Sequence, residues 1–391
     1  MNKIVPKTEI EHRLHNLQGR LEKGGIDGAL LVYPIDVYYF TGSRQNAALW
    51  VPTEGRPTLL VRKSIDRALK ECLIEDVRPF PSSKELSAFF GKGALRIGLT
   101  FDVLPVHQYQ FYSDLLPGKK FVDISAVNRE LRSVKSEWEI EQMRTSANIL
   151  CGAFAKVPDI LERGMRELDL AAEFEYILRK SGSDGYLRIR AFHQEIVGLA
   201  VAGENAAMPG CFDGAVTGKG LSTAAPYGPS MDLIPLGVPI VVDYGLIFNG
   251  YIVDMTRIFV FGELDPALER AFDLSLEIQA WLVENLKQGS LCEELYAGAA
   301  AIADSAGLAD KFMGYPGEQA RFVGHGVGLE LDELPVLAQK FKSHLVSGQT
   351  VALEPKFVFP KKGVVGIENT YAVTESGCER LTLLPDFPVY L

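Results

Sequence analysis

Two aspartates stand inside apolar, strand-like stretches of the sequence. Asp243 and Asp254 occur in VVDYGLIFNGYIVDMTR, residues 241–257, among valine, isoleucine, leucine and phenylalanine. An ionised carboxylate is costly to bury unless it takes up a proton or meets a cation. The first question about this chain is therefore what neutralises these two side chains.

A turn signal between the aspartates predicts that they meet. The Asn-Gly pair at 249–250 is the strongest short signal for a two-residue hairpin turn. A turn there predicts that Gly245 faces Asp254, with Asp243 two residues further along the same face as a diagonal neighbour. A slip of one residue would send the two carboxylates to opposite faces, so the prediction depends on the turn.

Three more residues capable of chemistry follow in apolar or glycine-rich surroundings. Glu354 lies in TVALEPKFVF, Glu368 in GVVGIENTYAVT, and His325 stands between two glycines in RFVGHGVGLELDE. Four acids and one imidazole form an oxygen-rich set that suits Mn, Co, Zn or Fe(II). Two such ions a few ångströms apart would neutralise the acids, generate a hydroxide at neutral pH and polarise a scissile carbonyl.

A purely structural alternative stays open for each part of this set. An aspartate could form a salt bridge with Arg257 or with a nearby lysine, and a histidine between glycines could be an ordinary turn residue.

Composition limits the functions that the chain can have. Its 391 residues favour two domains, and 47% hydrophobic with 23% charged residues is typical of a globular protein. A formal charge of −10 argues against nucleic acid as a partner, and a small neutral or cationic substrate fits better.

Cysteine usage and the apolar runs predict a cytoplasmic protein. The five cysteines are scattered without a C-x-x-C pair, which is typical of reduced thiols. The first residues lack the apolar core of a signal peptide, and no run approaches the ~20 apolar residues of a membrane span. We expect no membrane partner.

The elements that must position the set fall into two parts. Residues 1–132 alternate helical and strand patterns, and the first helix carries Ile10, Leu14, Leu17 and Leu21 on one face. A capping box of Ser136 and Glu139 then opens a new helix. Further helices are predicted near 165–181, 266–287 and 291–306, and the Gly, Ala, Pro and Ser-rich stretch 203–230 is predicted to be a long loop beside the site.

Taken in order, the five residues resemble the ligands of the pita-bread metallopeptidases, which include Xaa-Pro dipeptidase, aminopeptidase P and, more distantly, methionine aminopeptidase. The segment GIDGALLVYPIDVYYFTG resembles the creatinase-type N-terminal domain of the prolyl enzymes. The resemblance implies a two-domain α/β chain. Residues 1–132 would form a creatinase-like α/β domain, and residues 133–391 an α+β pita-bread catalytic domain.

The resemblance also implies a role for each residue. Asp243 would chelate one metal and His325 the other, Asp254 and Glu368 would bridge both, and Glu354 would hold one ion and shuttle protons at a bridging hydroxide. This implies two divalent ions per chain (Mn, Co or Zn), a small peptide substrate and a homodimer. Glu354 and His325 are the catalytic candidates.

Two departures from the prolyl pattern leave specificity open. Asp332 stands seven residues after His325, where prolyl members carry a second histidine, and a further histidine expected upstream of Asp243 is not found. The residues that could enter the site from another direction are His193, Arg188 and Arg190. A small-amide hydrolase on the same fold, or a peptide-binding module without catalysis, are the alternative functions.

Overall fold

The computed structural model describes residues 4–90, 93–190, 198–211 and 213–391. The chain divides into two compact units, Met1–Arg132 and Ser133–Leu391.

The first unit alternates helices and strands. Its helices are α1 (Lys7–Lys23), α2 (Pro34–Thr41), α3 (Ile65–Glu71), α4 (Ser83–Phe90), α5 (Val106–Leu115) and α6 (Ser125–Ser133). Its strands are β1 (Gly28–Leu31), β2 (Ala47–Pro52), β3 (Thr58–Val61), β4 (Asp76–Pro79), β5 (Arg96–Leu99) and β6 (Lys120–Asp123).

These six strands form one mixed sheet in the order β4-β3-β2-β1-β5-β6. Strands β1 to β3 are antiparallel neighbours, whereas β4, β5 and β6 join in parallel. Helix α1 buries the four predicted apolar residues, and His12 and His15 are exposed on its other side. The unit is therefore an α/β fold with its own core, as predicted.

The second unit contains the remaining elements. Its α-helices are α7 (Glu137–Phe154), α8 (Val157–Ile160), α9 (Glu167–Lys180), α10 (Gly203–Ala206), α11 (Pro266–Asn285) and α12 (Cys292–Ser305), with a 3₁₀ turn at Ala309–Lys311. Its strands are β7 (Leu199–Ala202), β8 (Pro239–Phe248), β9 (Tyr251–Val260), β10 (Phe322–Gly326), β11 (Glu333–Ala338), β12 (Thr350–Leu353), β13 (Lys356–Phe359), β14 (Gly363–Gly366), β15 (Asn369–Val373), β16 (Cys378–Arg380) and β17 (Val389–Tyr390).

Three sheets of the second unit organise these strands. One has the order β17-β9-β8-β7, another β11-β10-β12-β15-β16, and β13 pairs with β14 alone. An isolated bridge between Thr256 and Glu368 connects β9 to the chain just before β15. This link brings the β8–β9 hairpin against β15 of the five-stranded sheet.

Helix α7 covers the hairpin, and its sequence determines both where the helix starts and which face it buries. The Ser136 side chain accepts from the backbone N–H of Glu139, whose carboxylate accepts from the backbone N–H of Ser136. Apolar residues at helical spacing, among them Ile140, Met143 and Leu150, are buried, and α7 packs against β8 and β9.

The hairpin has the predicted register. Asn249 and Gly250 take φ values of 48° and 87°, the positive values that a type I′ turn requires. As a result Gly245 is paired with Asp254, and Asp243 with Thr256. The two aspartates therefore share one face of the sheet, and the prediction is confirmed.

The long-loop prediction also agrees with the described residues. Residues 203–206 form the single helical turn α10, and residues 207–211 and 213–230 contain no helix or strand. Helices α11 and α12 end slightly before their predicted ends at 287 and 306, at Asn285 and Ser305. No helix among the described residues has the length and apolar character needed to span a bilayer.

Candidate active site

Five side chains from separate strands meet at the wall of one cavity of about 350 Å³. Asp243 lies on β8, Asp254 on β9 and His325 on β10, while Glu354 directly follows β12 and Glu368 directly precedes β15. The structure thus brings together all five residues that the sequence singled out.

Close packing of β10 explains the glycines beside the histidine. A Cβ atom at Gly324 would lie 2.6 Å from the carbonyl oxygen of Ala352 on β12, and one at Gly326 would collide with the backbone of Leu334. Without side chains at these positions, β10, which carries His325, can lie close to both of its neighbours, β11 and β12.

The histidine ring is oriented for ligation through Nε2. Its Nδ1 lies 3.1 Å from the carbonyl oxygen of Leu331 and 3.4 Å from Oδ1 of Asp332. A proton on Nδ1 can therefore be donated to these oxygens, which leaves the Nε2 lone pair directed at the acids. Nε2 lies 3.7 Å from Oε1 of Glu354 and 3.8 Å from Oε1 of Glu368.

Part of this cluster fits one divalent ion. Asp254, His325 and Glu368 each offer a ligand atom, and these atoms lie within 4.8 Å of one another. Atoms that each lie about 2.0–2.2 Å from one ion can be at most about 4.4 Å apart, so the 3.8 Å between His325 and Glu368 permits a shared ion. All three side chains are buried.

Threonines hold the two acids of this group in place. The Thr256 hydroxyl donates to Oε2 of Glu368 at 2.8 Å. Thr370 accepts from the backbone N–H of Asp254 and donates to its carbonyl oxygen, both at 2.9 Å. The Glu368 carboxylate and the Asp254 backbone are thus positioned by hydrogen bonds that join the two sheets.

A lysine that the sequence reasoning missed lies among the acids. The Lys356 Nζ atom is 2.7 Å from Oε2 of Glu354, 2.9 Å from Oε2 of Glu368 and 3.1 Å from Oδ2 of Asp243. The signal was present in LEPKFVF, because a residue two positions beyond Glu354 at the start of a strand falls on the same side of the chain. The open alternative of a nearby lysine therefore holds for Asp243.

Arg257, the other partner considered, contacts different groups. It donates to the carbonyl oxygen of Glu368 at 3.0 Å and forms an ion pair with Asp386 at 3.2 Å. Its pairing with Asp243 or Asp254 is therefore wrong. It stabilises the backbone beneath the cluster instead.

The field inside the cluster shifts the pKa of every member. Burial, together with the charges of Glu368 and Asp243, raises the pKa of Asp254 well above its usual value, and burial raises that of Glu354 to about 7. Burial also acts to raise the pKa of Glu368, but the Lys356 ammonium and the nearby His325 imidazole hold it at about 2.

The two nitrogen groups show the opposite balance. Burial acts to lower the pKa of Lys356, but the charges of Asp243, Glu354 and Glu368 raise it well above its usual value. In the same way, Glu368 and the other surrounding carboxylates overcome burial and raise the pKa of His325. Positive charge is therefore strongly favoured here.

The remaining cavity wall is mainly apolar and includes two further acids. Its apolar residues include Leu187, Ile189, Leu199, Val216 and Leu331. Asp213 and Asp332 also line the cavity, and the Asp332 side chain is half exposed. Residues 213–217 come from the loop that the sequence placed beside the site. A substrate contact by Asp332 stays a prediction.

Two of the other substrate-binding candidates, Arg188 and Arg190, contact groups outside the cavity wall. Arg188 donates through Nη2 to the carbonyl oxygens of Gly250 at 2.8 Å and Leu329 at 2.9 Å. Arg190 forms a buried ion pair with Glu330 at 3.6 Å. Neither belongs to the cavity wall, because each guanidinium is engaged elsewhere. His193 lies outside the described residues.

Comparison with known protein families shows the family of this chain. Residues 141–375, more than half of the chain, match the profile described as metallopeptidase family M24, and residues 13–134 match the creatinase/prolidase N-terminal domain. The chain belongs to metallopeptidase family M24. The predicted family, two-domain fold class and enzyme class are thereby confirmed.

Named relatives align with nearly the whole length of this chain. The Xaa-Pro dipeptidase of Pyrococcus furiosus is 28% identical over 379 residues, covering 95% of this chain and 98% of that protein. The prolidase structure from Pyrococcus horikoshii OT3 has a TM-score of 0.82 at 25% identity, covering 96% and 99% of the two chains. An Xaa-Pro dipeptidase from Bacillus anthracis, with a TM-score of 0.85 at 23% identity over 98% and 100%, shares the fold.

Proposed function

We propose that this M24 chain hydrolyses the peptide bond next to the N-terminal residue of dipeptides or short peptides. The observation that carries the proposal is the acid–histidine cluster at the wall of a cavity of about 350 Å³ with mainly apolar sides. The names of the relatives make X-Pro peptides the first substrates to test.

The described side chains suggest how the work is divided. Asp254, His325 and Glu368 would hold a divalent ion, which would supply an attacking water or hydroxide at neutral pH and polarise the amide carbonyl. Glu354 has one oxygen toward His325 and lines the same cavity. Glu354 would accept a proton and deliver it to the leaving amine.

A substrate panel tests this proposal. Purified protein supplied in turn with Mn, Co and Zn is incubated with X-Pro dipeptides, other dipeptides and small non-peptide amides, and products are quantified by mass spectrometry. Hydrolysis of at least one peptide class is expected. Cleavage of small amides alone would favour the amide-hydrolase alternative, and no cleavage of any substrate would favour the peptide-binding module.

A variant pair assigns the activity to this cavity. Glu354→Gln keeps the size of the side chain but cannot carry the proton, so turnover should fall by roughly 10²–10⁴-fold. Glu375→Gln, at an exposed position outside the cavity wall, should change nothing. Full activity in Glu354→Gln would contradict the proposal.

Two broader expectations belong to the same proposal. All five cysteines are unpaired, which supports a reducing, cytoplasmic location. The homodimer rests on the family resemblance, and light scattering at assay concentration tests it, because a fully active monomer would remove any role for dimer contacts.

A further inference from the structure

The Lys356 ammonium has the surroundings of a bound cation. Three carboxylate oxygens, from Asp243, Glu354 and Glu368, lie 2.7–3.1 Å from Nζ. The lysine side chain is 3% exposed and its residue belongs to the buried set. An ammonium carries three N–H donors, so each of the three oxygens can accept one hydrogen bond.

The two glutamates divide their oxygens between opposite neighbours. Glu354 and Glu368 each direct Oε2 at the lysine, and each directs Oε1 at Nε2 of His325, at 3.7 and 3.8 Å. One side of the cluster is therefore formed around the lysine, with Asp243. The other side contains His325 and Asp254.

The lysine side does not fit a divalent ion while the ammonium is there. A metal would have to approach the same oxygens to about 2.0–2.2 Å, and it would lie beside a positive charge that already takes those oxygens as acceptors. The histidine side has no such competitor among the described residues, and it contains the three-residue group whose ligand atoms lie within 4.8 Å.

We propose that Lys356 supplies the cation that neutralises Asp243, so that the chain binds a single divalent ion, at Asp254, His325 and Glu368, rather than two. The use of this ion in peptide hydrolysis rests on the proposed function, whereas the number of ions bound does not. The lysine is a positioning residue: it fixes one oxygen each of Glu354 and Glu368 and thereby aims the other at the metal side.

The test counts ions without using activity. Protein loaded with Mn²⁺ is freed of excess metal by gel filtration, and the ions per chain are measured by mass spectrometry. Manganese EPR of the same samples separates an isolated ion from a spin-coupled pair. The ion count of Asp254→Ala, which should lack the proposed site, measures binding to the protein surface and is subtracted from the other counts.

Two variants make the prediction specific. Wild type should hold one uncoupled ion, and Asp243→Asn should still hold one, because Asp243 serves the lysine rather than the metal. Lys356→Met, which keeps the stem but removes the charge, should rise to two ions with a coupled spectrum. Circular dichroism checks folding, and if Lys356→Met does not fold, the wild-type and Asp243→Asn counts still decide.

Two results would overturn the inference, and a third separates it from the proposed function. Two coupled ions in wild type that fall to one in Asp243→Asn would show that the lysine moves aside for a second metal. No retained ion in wild type would show that the lysine makes the centre metal-free. One ion with no peptide hydrolysis would leave this inference standing while contradicting the proposed function.

Discussion

Replacing Asp332 by asparagine should remove a preference for substrates that carry positive charge. Asp332 lines the cavity, and its Oδ1 lies 3.4 Å from Nδ1 of His325. Its carboxylate adds negative charge to the cavity wall, at the position where the family resemblance implies a histidine in prolyl members. A cationic group on a bound peptide would be attracted there.

The size of the preference follows from distance and exposure. Half of the Asp332 side chain is exposed, so an effective dielectric constant of about 40 is a reasonable intermediate between surface pairs and bulk water. At that value a cation about 7 Å away would be stabilised by about 1.2 kcal/mol, which corresponds to roughly 7-fold in kcat/KM. Salt should weaken the effect.

Matched peptides measure it. Two pairs, differing only by glutamine or lysine at the first or second position, are compared by kcat/KM at low and high ionic strength. Wild type should favour lysine in at least one pair, and Asp332→Asn should equalise that pair. Asp213→Asn, which removes the other additional acid on the cavity wall, is the control and should retain the preference.

The companion substitution concerns proline. Asp332→His would introduce a donor for the carbonyl oxygen as it gains negative charge, an interaction whose loss elsewhere costs ~2.7–4 kcal/mol. X-Pro turnover should therefore rise and the charge preference disappear. The reasoning is refuted if Asp332→Asn keeps the lysine preference. It is also refuted if the native enzyme cleaves X-Pro peptides strongly and Asp332→His leaves that rate unchanged.

Three further predictions concern other parts of the second unit. Gly324→Ala should destabilise it by about 1–3 kcal/mol in urea unfolding, because the new Cβ would lie 2.6 Å from the Ala352 carbonyl oxygen; Gly152→Ala, a helix position with nothing within 4 Å, should instead stabilise it by roughly 0.5–1 kcal/mol. Arg257→Met should lower the stability by about 1–3 kcal/mol, because the carbonyl oxygens of Glu368 and Pro385 lose their Arg257 donor, whereas Asp386 keeps its ion pair with Arg380; equal stability would contradict this. Cys211 is exposed and lines the cavity, so it should be the first cysteine to be alkylated, and a bound peptide product should slow this reaction. An unchanged labelling rate in Cys211→Ser would show that another cysteine reacts first.

The parts predicted correctly from sequence depend on local rules. The Asn-Gly turn sets the register of β8 and β9, and alternation then places Asp243 and Asp254 on one face. Capping chemistry set the start of α7 in the same way. The meeting of Glu354, Glu368 and His325 with them needed the resemblance, because contacts between separate sheets leave no periodic signal.

The contacts that the sequence does not predict have equally specific causes. From the sequence, Arg188 and Arg190 are candidates to enter the site, whereas in the structure their guanidinium groups contact carbonyl oxygens and Glu330. Short strands such as β4 and β6 have too few residues to show a clear alternation. A sequence shows which charges exist, whereas their partners depend on distant segments.

Lys356 shows where counting ligands from a sequence fails. Alternation puts its side chain on the side of Glu354, but only the spacing between β13 and β8 determines that the ammonium reaches Asp243 at 3.1 Å. Five ligand-type residues therefore set an upper limit on the metal content, because a buried cation from the chain itself competes for the same oxygens. The charge that makes two buried aspartates tolerable can come from a lysine as well as from an ion, and here the geometry indicates one of each.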